Sequence, residues 1–116
     1  MDLEDKIINA QNFNDENREN NLEKFGEYLI KTSFNKVFKE VKQKALKNGF
    51  SLDYIKDVKT TMMNYSKHFD FFIEYLYDVT EENNDLEQLS LKELLDKYAD
   101  KSIKYAIKRI YEYYFK

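Results

Sequence analysis

Chemistry in this 116-residue chain would have to come from one histidine, several regularly spaced carboxylates, scattered serines and two blocks of lysine. His68 stands alone, and its nearest carboxylates in sequence, Asp70 and Glu74, do not fall at the three- or four-residue spacing that joins two ligands on a helix. A di-iron bundle needs Glu-x-x-His from two helices, which one histidine cannot supply. Asp53/Asp57, Glu19/Glu23/Glu27 and Asp70/Glu74/Asp78 recur four apart, so each set lies along one helix face and reads as a solvated acidic surface. There is no cysteine, which removes disulfides, thiolate nucleophiles and zinc-thiolate sites. Ser33, Ser51, Ser66, Ser90 and Ser102 lack a Gly-x-Ser-x-Gly context, and Gly26 and Gly49 alone cannot build a phosphate-cradling loop. The expectation is a protein that is not an enzyme and uses no metal and no cofactor.

Binding is the remaining chemistry. Lys36, Lys39, Lys42, Lys44 and Lys47 scatter over the side of a helix opposite Phe34, Val37, Phe38, Val41 and Ala45, which is how an amphipathic helix places its polar face. Near the C-terminus, Lys101, Lys104, Tyr105, Lys108 and Arg109 share the face opposite Ile103, Ile107 and Ile110, with Glu112 the one acid there. Such a stripe is explained by an acidic neighbour within the fold, by the helix dipole, or by a partner whose phosphates or carboxylates it meets. Met63, Phe71 and Tyr77 point away from the apolar seam of their helix, either as core under another helix or as an exposed docking patch.

The elements that position these residues are helical. The chain has no proline and two glycines, so long stretches carry nothing to interrupt a helix. A short helix is predicted at 3–10, with 11–21 a polar linker or frayed segment. Leu22, Phe25, Leu29 and Ile30, then Phe34, Val37, Phe38, Val41 and Ala45, have helical spacing, with Thr32-Ser33 a candidate break between them. Gly49 stands where a left-handed residue ends a helix, with Phe50 behind it and Ser51 placed to cap the next. Ile55, Val58, Met62, Tyr65, Phe69, Phe72, Leu76 and Val79 alternate steps of three and four, predicting a spine over 52–79 that is about 42 Å long at ~1.5 Å per residue. Thr80 to Leu89 reads as a loop with a short turn near Leu86. Ser90 and Glu93 form a capping box opening a last helix over 91–115, in which the change of apolar phase predicts a break or bend near Ala99-Asp100.

Charge alternates in blocks. Residues 1–30 carry 8 acids and 3 cations, 31–59 carry 3 and 8, 60–100 carry 10 and 3, and 101–116 carry 1 and 5, for a net charge of −3. The blocks either cancel across neighbouring helices or segregate to make a polar interaction surface. The acidic N-terminus does not read as a signal peptide, no run approaches the ~18 apolar residues of a membrane span, and a cytoplasmic protein without a membrane partner is the simplest expectation.

These readings converge on an all-α protein. One helical domain over 1–116 is expected to form a compact bundle of four to five helices around the 52–79 spine, with 91–115 antiparallel to it. The function they suggest is a non-enzymatic protein-binding module of inhibitor, immunity, anti-defence or adaptor type, docking another protein through Lys101, Lys104, Tyr105, Lys108, Arg109, Met63, Phe71 or Tyr77. The alternative is a small subunit of a nucleoprotein complex, contacting nucleic-acid phosphates through the basic C-terminal helix.

Overall fold

The computed structural model describes the backbone of residues 15–64 and 67–116 and the side chains of 18–64 and 69–116. The helix predicted at 3–10, the linker residues 11–14, the Tyr65 seam position and the His68 side chain lie outside the described residues. Among the described residues five helices follow in order: α1 (Asp15–Lys47), α2 (Leu52–Asn64), α3 (Lys67–Val79), α4 (Asp85–Gln88) and α5 (Leu91–Tyr114). No strand occurs among the described residues.

The longest helix is α1, whose 33 residues span the 50 Å long axis of the molecule, and each of the other four helices packs on it. It runs through Thr32-Ser33 without a break. The Thr32 hydroxyl donates to the Tyr28 carbonyl at 2.8 Å and lies 3.3 Å from Ser33 Oγ, so both hydroxyls are satisfied on the helix itself. Residues 15–21, expected to be linker or frayed, belong to α1 as well. Arg18 and Asn21 hold this part of the helix by bonds to residues more than sixty positions away, which local composition cannot show.

The turn after α1 forms as its sequence predicts. Gly49 adopts φ 91°, Phe50 N donates to Ala45 O at 3.0 Å and Gly49 N to Leu46 O at 3.1 Å, the paired bonds of a Schellman cap. Ser51 Oγ then accepts from Tyr54 N at 3.1 Å and starts α2. The chain reverses here: Leu52, Ile55, Lys56 and Lys59 lie beside Lys42, Lys39, Phe38 and Asn35, so α2 is antiparallel to α1. α3 is antiparallel to α1 too, with Phe69 and Ile73 on Gly26 and Tyr77 at Arg18.

α5 opens on the expected capping box, Glu93 N donating to Ser90 Oγ at 3.2 Å and Ser90 N to Glu93 Oε1 at 3.3 Å. It lies antiparallel to α3, pairing Tyr105 with Tyr75 and Tyr113 with Phe71, and therefore parallel to α1, whose C-terminal end it meets through Tyr111. It runs through Ala99-Asp100 without the break expected there. Its buried stripe runs in steps of four through Leu94, Tyr98, Ser102, Ala106 and Ile110, and the apparent change of phase arises because the middle position is a serine, fully buried.

The core joins Phe25, Leu29, Val37 and Val41 of α1 to Ile55 and Met62 of α2, Phe72 and Leu76 of α3, Leu86 of α4, and Leu94 and Ile110 of α5. The seam read from sequence thus supplies Ile55, Val58, Met62, Phe72 and Leu76 to the core, while Phe69 and Val79 are half-buried at its margin. No helix among the described residues is long and apolar enough to cross a membrane.

Candidate functional site

The basic stripe of α5 is partly answered within the fold. Arg109 Nε lies 3.2 Å from Glu74 Oε1 on α3, and its Nη1 lies 3.2 Å from Glu112. The Tyr105 hydroxyl donates to the same Glu74 carboxylate at 3.3 Å. Burial, then the negative charge of Glu74, push the Tyr105 phenol above its ordinary pKa. Lys108 is 3.9 Å from Glu112. Lys101 and Lys104 are exposed and make no ion pair among the described residues.

Met63, Phe71 and Tyr77 do not form one patch. Phe71 is 6% exposed, covered edge-on by the rings of Tyr113 and Tyr114, so it is core and no longer a docking candidate. Tyr77 is exposed at the far end of α3 with the Arg18 guanidinium 5.5 Å from its ring centre. Met63 is the most exposed large apolar side chain described and sits at the end of α2, beside Ile30 and Phe34 of α1.

A feature absent from these expectations lies between α1 and α3. Gly26 faces α3 at such close range that a Cβ there would sit 2.5 Å from Phe69 Cε2 and 2.6 Å from Ile73 Cγ2. The missing side chain lets the two helices touch, and Leu22 and Ile30, one turn to either side, wall a groove of about 690 Å³ with Phe69 and Ile73. Along its α1 edge stand Glu19, Glu23 and Glu27, with Lys31 at one end. The sequence signal was a glycine centred between two apolar residues at four-residue spacing, with glutamates also four apart; each half is unremarkable alone.

Charge is segregated along the molecule. At one end α4 is clamped to the start of α1: Arg18 donates to Thr80 O at 3.1 Å and meets Glu87 at 3.4 Å, and the buried Asn21 amide donates to Leu86 O. Asp85 of α4 accepts from Lys97 at 2.8 Å and from the Tyr98 hydroxyl, which hold its carboxyl below the usual range, while burial and Asp85 raise Tyr98. At the other end Asn48 donates to Tyr111 at 2.7 Å, Lys44 lies over the Tyr111 ring, and Phe50 and Tyr54 pack edge-on to Phe115. Because α1 and α5 are parallel their dipoles add, and acids gather toward the shared N-terminal end while lysines gather toward the shared C-terminal end. Among the described residues, no group of three or more histidine, aspartate or glutamate side chains converges as a metal ion would require.

Comparison with family models, curated proteins and solved structures finds no match to this chain.

Proposed function

We propose that this protein is a non-enzymatic protein-binding module, of inhibitor, immunity, anti-defence or adaptor type, and that it docks a basic amphipathic helix of its partner in the groove between α1 and α3. The observation that carries this reading is the groove itself: Leu22, Ile30, Phe69 and Ile73 walling a cleft with three glutamates in register on one edge. Apolar side chains at three- and four-residue spacing on a partner helix would enter the cleft, and its lysines or arginines would meet Glu19, Glu23 and Glu27. The edge charges set orientation and encounter rate while the apolar walls supply most of the affinity. A chain without cysteine suits a reducing compartment, and we place this activity in the cytoplasm.

The test is binding of a 20-residue Leu/Lys amphipathic peptide, followed by fluorescence anisotropy, to wild type, to Ile73→Glu and to a Glu19→Lys/Glu23→Lys/Glu27→Lys variant. Both variants should lose binding. The triple change alters exposed residues only, so it remains informative if Ile73→Glu disturbs folding. Undiminished peptide binding by the triple variant with native circular dichroism overturns the proposal, as does failure of wild type to bind.

A further inference from the structure

We propose that a second groove, between the C-terminal half of α1 and α2, binds a short chain of linked phosphates. Lys39 and Lys42 of α1 face Lys56 and Lys59 of α2 across a cleft of about 300 Å³, with the Asn35 side chain at one end. In each pair the residues are three apart, so the two lysines of a pair lie on the same face of their helix. Among the described residues, no carboxylate lines it. Glu40 faces the opposite side of α1, beside Lys36 and Lys104, and neither Asp53 nor Asp57 lines the cleft.

Lys97, Lys108 and Arg109 by contrast have carboxylate partners within the fold, Asp85, Glu112 and Glu74 respectively. Lys39, Lys42 and Lys56 are exposed and make no ion pair among the described residues, and Lys59 rests 5.9 Å from the centre of the Phe38 ring. Four like charges held across one cleft by two packed helices repel each other until an anion lies between them, so a bound polyanion relieves repulsion as well as gaining attraction. The ligand is a compact oligophosphate rather than a nucleic-acid strand. The one aromatic side chain lining the cleft among the described residues, Phe38, is 3% exposed and offers no face on which a base could stack.

The experiment titrates the isotope-labelled chain with sodium triphosphate and, separately, with a 20-nucleotide single strand, following backbone amide signals. Triphosphate should shift the amides of residues 35–42 and 52–59 saturably, with affinity falling as salt rises. Lys42→Glu/Lys56→Glu should weaken it by at least about tenfold, while Lys101→Glu/Lys104→Glu, an equal change of charge outside the cleft, should weaken it by less than about threefold. If charge reversal impairs folding, Lys39→Gln/Lys42→Gln serves instead and should also weaken binding. The proposal is overturned by the absence of a saturable shift, by equal loss in the two charge-reversal variants, or by a single strand that binds here and is not displaced by triphosphate.

Discussion

Arg109 on α5 and Glu74 on α3 are joined by a guanidinium–carboxylate contact, Nε to Oε1 at 3.2 Å and to Oε2 at 3.4 Å, and the same carboxylate accepts from the Tyr105 hydroxyl. One acid on the antiparallel neighbour thus engages two of the five residues of the basic stripe. What reads in one dimension as an unrelieved run of cations is in three dimensions partly a helix–helix junction.

That junction makes a direct prediction. Glu74 contributes to the raised pKa of Tyr105 through its charge and its hydrogen bond, but burial is the larger cause. Glu74→Gln should therefore lower the Tyr105 pKa without returning it to the usual tyrosine value. Tyrosinate absorbance during alkaline titration, with Tyr105→Phe identifying the component, measures this. An unchanged Tyr105 titration in Glu74→Gln would contradict the contact.

Gly26→Ala tests the close approach of α1 and α3. Alanine in a helix interior gains about 0.8–1.0 kcal/mol over glycine by propensity. Here the new methyl would lie under 3.0 Å from atoms of a phenylalanine ring and a β-branched isoleucine, and overpacking of that kind costs about 1–3 kcal/mol. The steric cost should win, leaving the variant less stable in urea unfolding. A stabilised Gly26→Ala would show that Phe69 and Ile73 yield easily and that the groove has no fixed shape.

Phe72→Ala should cost about 3–5 kcal/mol, as for a wholly buried aromatic side chain. Phe69→Ala should cost clearly less, because Phe69 is half-buried on the groove wall. Unfolding free energies of the two variants distinguish deep core from groove lining; equal losses would place Phe69 in the core.

Helix type and capping were legible in the sequence because they depend on neighbours a few residues apart: Gly49 and Phe50 ending α1, Ser51 starting α2, and Ser90 with Glu93 starting α5. The two expected interruptions failed for one reason. Thr32, Ser33 and Ser102 are polar residues that stay within a helix, two satisfied by local bonding and one carried inside the buried stripe. Membership of residues 15–21 in α1 depends on Thr80, Leu86 and Glu87, and no local pattern encodes such distant partners. Both grooves arise between helices, so their residues appear in sequence only as separate fragments of ordinary amphipathic faces. Of the residues singled out from sequence, Arg109 and Tyr105 serve the α3–α5 junction, Phe71 serves the core, and Lys101, Lys104, Met63 and Tyr77 stay exposed.

Asn21→Ala should destabilise the protein by about 1–3 kcal/mol, because it leaves the Leu86 carbonyl buried without its donor. The loss should be local as well as global. Hydrogen exchange of the amides of Glu87, Gln88 and Leu89, the residue that caps α4, should accelerate more than that of the α5 centre, since α4 is a single turn held to α1 by Asn21 at Leu86 and Arg18 at Glu87. Uniform acceleration across both helices would show that α4 opens only with the whole fold.

The Asp85 cluster predicts how stability follows pH. Its carboxyl is held below the ordinary aspartate value, first by Lys97 and then by Tyr98, so in the folded protein it binds its proton less readily than in the unfolded chain. The stability it contributes is fully present above the unfolded value of about 3.9 and is lost as pH falls through the folded value. At the alkaline side the signs reverse. Tyr98 and Lys97 are both raised, so their contributions hold below their unfolded values near 10 and disappear as pH climbs through the folded ones. Asp85→Asn should therefore be less stable than wild type at pH 7, and the difference should shrink as the solution is taken below about pH 3.9. Urea unfolding at pH 7 and at successively lower pH measures the gap. If it stays constant into the acid range, the carboxylate's charge is not what ties α4 to α5.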